Sequence, residues 1–84
     1  MCTYVTETVG ATGSGKGPQG WFDLSRASVY FDHPVHAREA HTLNIDLINP
    51  ELGPSARVAV ELSRESATEL AHAILRIVSE TMDV

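Results

Sequence analysis

Hydrophobic residues in this sequence recur at every second position in its middle part and at every third or fourth position near the C-terminus. A period of two is typical of a strand with one buried face, and a period of 3.6 is typical of an amphipathic helix. The alternation covers residues 27–32, 41–47 and 56–62, and the helical stripe covers residues 67–78. The change of period therefore predicts a sheet followed by a helix.

The first residues, CTYVTETV, are rich in Thr, Val and Tyr and predict one more strand. Ser63 is a candidate helix N-cap, and Glu65 follows in the first turn, where the helix dipole favours an acid. Ser66 and Glu69 also match a capping box, which would start the helix one turn later. We therefore predict strands near 2–9, 21–32, 41–48 and 55–62, and a helix over 64–79. This β-β-β-β-α order with short links favours an α+β fold, in which the C-terminal helix packs on one face of a four-stranded antiparallel sheet. With 84 residues, the chain is expected to form a single domain over 1–84.

Residues 10–20 hold five of the six glycines together with Pro18, and this composition predicts a mobile loop. The loop has part of the spacing of a phosphate-binding loop, since Gly10 is followed after four residues by Gly15 and Lys16. A working loop of that kind needs Ser or Thr after the lysine and a helix that starts there. Gly17 and Pro18 follow instead, so no nucleotide is expected to bind.

The net charge of −5 and the absence of a basic run argue against nucleic acid and anionic membranes as partners. No apolar stretch approaches the roughly 20 residues of a membrane span, and the N-terminus does not have the pattern of a secretory signal. The single cysteine, Cys2, fits a reducing compartment. We therefore expect a cytoplasmic protein.

The most informative stretch is FDHPVHAREAHTLNID, which spans the end of the second predicted strand and most of the third. If the two strands form a hairpin with aligned apolar faces, the numbers of paired residues sum to an even value, and a sum of 74 pairs Phe31 with Leu43 and Val29 with Ile45. That register sets the side chains of His33 and His41 side by side.

Close to that pair, the connecting loop supplies His36, and Asp32 is adjacent in sequence to His33. Imidazoles with an open coordination position suit zinc, copper, nickel or iron. We therefore name His33, His36, His41 and Asp32 as candidate metal ligands. The alternative is that these histidines shape the turn or form ordinary hydrogen bonds. His72, on the polar side of the helix, is expected to be solvated.

The sheet face that the helix leaves uncovered is predicted to be polar, and its Tyr and Arg residues suit a ligand surface or a subunit interface. The candidate ligand-binding residues on this face are Tyr4, Tyr30, Asn44 and Arg57. Cys2 is a weaker candidate, because an N-terminal thiol can bind metal or act as a nucleophile. More often a single cysteine is an inert side chain.

Four segments taken together, MCTY, GSGKG…GWF, VYFDHPVHA…HTLNID and GPSARVAVELS, resemble a family of small uncharacterised bacterial proteins, mainly from actinobacteria. The resemblance covers nearly the whole chain and implies a stand-alone small protein. It implies no catalytic residues.

These observations favour a protein that binds a metal ion or a small polar ligand at the histidine end of the hairpin. Two alternatives remain: a small metal-dependent enzyme that uses the same histidines, with Asp32 as an orienting group or base, and an accessory subunit that docks on a larger enzyme through the polar face. Self-association as a homodimer or higher oligomer is expected as well, because one helix leaves sheet edges and one face of a small domain exposed.

Overall fold

The computed structural model describes residues 5–84. Its elements are β1 (Val5–Gly17), β2 (Gly20–Asp32), β3 (Thr42–Ile48), a 3-10 turn (Pro50–Leu52), β4 (Arg57–Leu62) and α1 (Arg64–Glu80). The four strands form one antiparallel sheet in the order β1-β2-β3-β4. The predicted α+β class and β-β-β-β-α order are therefore confirmed, while the 3-10 turn was not predicted. Residues 2–4 of the first predicted strand lie outside the described residues.

The predicted register between β2 and β3 is confirmed, because Phe31 pairs with Leu43, Val29 with Ile45 and Ala27 with Leu47. These side chains lie on one side of the sheet, the apolar face, and β4 continues it with Val58 and Val60. The opposite side, the polar face, carries a continuous set of hydrogen-bonding side chains. They are Tyr30, Asn44, Asp46, Arg57 and Glu61.

The prediction of a loop over residues 10–20 is wrong. β1 continues to Gly17, the turn consists of Pro18 and Gln19, and β2 begins at Gly20. Proline fixes a φ that suits the first corner of a turn, and Gly20 takes a φ of 110°, which favours glycine. The composition is that of a loop, but the backbone pairs with the aromatic segment that follows.

Glycine is needed in β1 because the end of the β1–β2 hairpin lies against β4. A register shift between Gly10 and Gly13 interrupts the strand, and such an irregularity bends it. Beyond the bend, a Cβ added at Gly15 would lie 3.2 Å from methyl groups of Leu24 and Val58. The absence of a side chain at Gly15 leaves room for these methyl groups.

Helix α1 begins at an N-cap, Ser63, whose hydroxyl accepts a hydrogen bond from the Ser66 amide at 3.1 Å. The helix packs on β3 and β4. Very little apolar surface is buried by this arrangement: the buried apolar residues in the described chain are Ala27 and Ala56, and the largest fully buried side chain is that of Thr42. No helix within residues 5–84 has the length and apolar character needed to cross a membrane.

Candidate functional site

The loop between β2 and β3, residues 33–41, folds onto the polar face and is held there by one carboxylate. Glu61 accepts hydrogen bonds from three consecutive backbone amides, those of Val35 at 2.6 Å and of His36 and Ala37 at 3.0 Å each. The bond from Val35 is the main reason why the pKa of Glu61 lies below its ordinary value of 4.5. Glu61 is therefore ionised at neutral pH and fixes the middle of the loop.

On the other side of Ala59 on β4, Arg57 is oriented by Asp46 of the neighbouring strand β3. The Arg57 guanidinium makes two hydrogen bonds to this carboxylate. Its Nε and Nη2 both donate to Asp46 Oδ1, at 3.2 and 2.9 Å. The other carboxylate oxygen of Asp46 accepts a hydrogen bond from the Tyr30 hydroxyl at 3.1 Å. Burial raises the pKa of the Tyr30 phenol, and the bond to Asp46 raises it further. Tyr30 is therefore a neutral donor that holds Asp46, and Asp46 in turn holds Arg57.

Between these two groups lies an open cleft of about 510 Å³. Its floor is formed by Ala59, the smallest side chain on this part of β4, with Arg57 at one end and Glu61 at the other. Val35, His36 and Ala37 of the loop form the adjoining wall. Nearby, Thr42 donates to Asn44 Oδ1 at 2.6 Å, and both residues are buried. The Asn44 side-chain oxygen therefore already has a hydrogen-bond donor within the protein.

The candidate metal ligands are divided between the two faces of the sheet. His33 and His41 lie together as predicted, with stacked rings whose centroids are 4.5 Å apart. His41 also stacks on Phe31, which belongs to the apolar face, at 5.7 Å. His36 instead lies beside Glu61 in the cleft on the polar face. Asp32 accepts a hydrogen bond from the backbone amide of His33 at 2.7 Å.

The structure thus brings two of the three predicted histidines together and does not bring His36 to them. Within residues 5–84, no three His, Cys, Asp or Glu side chains are placed to hold one metal ion. His33 Nδ1 lies 3.0 Å from the Ala40 carbonyl oxygen. Because a carbonyl only accepts, Nδ1 carries a proton and donates to it. His72 is exposed on α1, as expected.

The sequence matches the family of unknown function DUF6295 over residues 1–83. The chain belongs to this family. Neither a curated protein nor a solved structure matches it.

Of the predicted ligand-binding residues, the structure places Tyr30, Asn44 and Arg57 on one face, close to the cleft. Tyr4 and Cys2 lie outside the described residues. Sequence reasoning missed the roles of Asp46 and Glu61. The signal for Asp46 was present, because the register sets it diagonally across from both Tyr30 and Arg57, and diagonal pairs on a sheet face interact. Nothing in the sequence indicated that the 33–41 loop folds back onto Glu61.

Proposed function

We propose that this protein is a binding module for a small polar ligand that carries an anionic group, such as a carboxylate or a phosphate. The observation that carries the proposal is the orientation of Arg57 at the end of the cleft. Its guanidinium uses two N–H groups on Asp46, and its side chain is still 51% exposed. A guanidinium has five N–H donors, so three remain for a ligand.

The rest of the cleft suits an organic ligand better than a bare ion. Val35, Ala37 and Ala59 offer apolar contact, and His36 offers an imidazole that can donate or accept. Glu61 adds a negative charge, but its oxygens already accept three amide N–H groups, which offset that charge locally. Because the Tyr30–Asp46 pair fixes the guanidinium before any ligand arrives, binding costs little ordering of the side chain.

Titration of the ¹⁵N-labelled protein with succinate and with inorganic phosphate tests this proposal. We expect saturable shifts in the NMR signals of the Val35, His36 and Ala37 amides and of Arg57 Nε. Arg57→Gln removes the charge and should abolish the shifts, whereas Arg76→Gln, on exposed helix surface, should leave them intact. Shifts that persist in Arg57→Gln, or no saturable shift with either anion, would contradict the proposal. A preference for one anion identifies the ligand class.

Metal binding at the other face is a second candidate, favoured by the proximity of the His33 and His41 rings. Two neighbouring imidazoles are a donor pair that suits zinc, copper, nickel or iron(II), and the coordination of the ion would be completed by water or by a ligand outside this pair. His36 would have to leave the cleft to join them. A small metal-dependent enzyme needs this same centre, so it depends on the same observation.

For this second candidate we expect protein purified without a tag to bind zinc, copper, nickel or iron(II) and to melt at a higher temperature with the metal. Binding should weaken in acid, where protons compete for imidazole. His33→Ala and His41→Ala should each lose the metal, while His72→Ala should keep it. Metal-free protein whose melting temperature is unchanged by all four ions would exclude the candidate.

The single cysteine of the sequence supports a cytoplasmic setting for either role. If the polar face instead docks on a larger enzyme, as an accessory subunit, the Arg57→Gln variant should bind succinate and phosphate no differently from the unchanged protein.

A further inference from the structure

The single chain exposes far more surface than a folded monomer of its mass. Its accessible surface is 6368 Å², whereas a compact monomeric protein of 9.1 kDa exposes about 4,900 Å². The radius of gyration is 14.0 Å, compared with about 12 Å for a compact domain of 84 residues. The excess of about 1,500 Å² is of the size that each partner of an obligate dimer buries.

Part of the exposed apolar surface lies on the apolar face of the sheet. One helix is about 10 Å wide and strands lie about 4.8 Å apart, so α1 covers about two of the four strands. It packs on β3 and β4, and on β1 the side chains of Val5 and Val9 remain 64% and 55% exposed. Two gaps of about 320 and 370 Å³ share Val29 and Leu43 and together form one trough along this face, whose lining is apolar apart from Glu7, Tyr30 and Thr68.

The helix itself carries more apolar surface than its own sheet can cover. At 100° per residue, the apolar arc of α1 spans roughly 160° from Ile77 to Leu75. Within that arc Ile77 is 60% exposed, and Leu75 and Val78 are exposed to a similar extent. The chain therefore presents both a half-covered sheet and an unmatched helix surface on the same side.

We propose that a second copy of this chain occupies the trough, so that the protein folds as a two-fold symmetric dimer with a shared hydrophobic core. In each copy, the helix leaves the β1–β2 part of the sheet uncovered and has exposed apolar surface of its own. In a two-fold symmetric dimer, the helix of each copy can cover the β1–β2 strands of the other. The polar cleft lies on the opposite face and stays open in the dimer, so this proposal is independent of ligand binding.

The test is the solution mass of the full chain, measured by sedimentation and light scattering over a range of concentrations. We expect twice 9.1 kDa and a melting temperature that rises with protein concentration. Ile77→Lys places a charge in the proposed interface and should give monomer or unfolded protein. Ser79→Lys, an exposed position outside the apolar arc of the same helix, should remain dimeric.

The proposal would be overturned if the wild-type protein had a solution mass of 9.1 kDa and unfolded cooperatively at a temperature independent of its concentration. Something other than a second copy would then cover the trough. An assembly that keeps its mass in both Ile77→Lys and Val9→Lys would overturn it as well, because the copies would then meet through another surface. If Ile77→Lys does not fold, the concentration dependence of the wild-type melting temperature and the mass of Val9→Lys still decide the question.

Discussion

Replacing Gly17 with Val is expected to destabilise the protein by roughly 1–3 kcal/mol, the usual effect of overpacking a tight contact. A Cβ at this position would lie 3.1 Å from the Ser55 carbonyl oxygen and 3.1 Å from the ring of Phe22. The Ser55 oxygen belongs to the backbone and cannot move aside as a flexible side chain can. Since 1 kcal/mol lowers the melting temperature by about 4–8 °C in a domain of this size, thermal unfolding at fixed protein concentration will detect the loss.

Gly10→Val is the matched control for this experiment. Gly10 lies on the same strand, and a Cβ there would meet nothing within 4 Å. Because valine is favoured in strands and glycine is not, we expect the control to be neutral or slightly stabilising. Equal destabilisation by the two substitutions would show that the hairpin does not pack on β4 as the structure has it.

Replacing Glu61 with Gln is expected to free the 33–41 loop from the polar face. The carboxylate accepts from Val35 on one oxygen and from His36 and Ala37 on the other, and an amide has only one oxygen to accept with. At least one amide in the loop then loses its partner. Hydrogen exchange of these amides, followed by NMR, should approach the rate of an unprotected peptide, whereas Glu39→Gln, an exposed position in the same loop, should leave it unchanged.

The Glu61 contact should also depend on pH. Hydrogen bonding from Val35 keeps the pKa of Glu61 in the folded protein below its ordinary value of 4.5. The stability that the carboxylate contributes is therefore fully present above pH 4.5 and is lost as the pH falls through the lowered folded-state value. The difference in stability between the unchanged protein and Glu61→Gln should shrink over that acid range. A constant difference would show that the carboxylate charge plays no part in holding the loop.

The prediction of the histidine cluster shows which side-chain positions can be inferred from strand register alone. Alternation of side chains restricted the pairing of β2 with β3 to registers that align the apolar faces, and continuing the observed register past the ends of the strands sets His33 beside His41. His36 has no strand partner, so no parity rule applies to it. Its position depends on Glu61, a residue on another strand, and nothing in the sequence marks that residue as an anchor for the loop.

The prediction of a loop over the glycine-rich residues 10–20 was wrong for a different reason. Composition indicates only which backbone conformations a segment can adopt, and five glycines with a proline are compatible with a mobile loop. Whether the backbone pairs instead depends on what lies opposite it. Gly15 lies against Val58, and Gly17 lies against the carbonyl oxygens of Ser55 and Arg57, contacts that exist only once the hairpin has bent over β4.

By itself, then, the sequence determined the elements that depend on local periodicity: the strands and helix, their order, and the register of the central hairpin. A single-residue slip there would have moved Phe31 and Leu43 to the wrong face, so the hydrophobic pattern excludes every register that is shifted by an odd number of residues. Only the tertiary structure decided which loop closes over which face, which carboxylate holds it, and how little of the sheet one helix covers. Those features come from contacts between residues far apart in the chain, where side-chain size and hydrogen-bond geometry act and local periodicity carries no information.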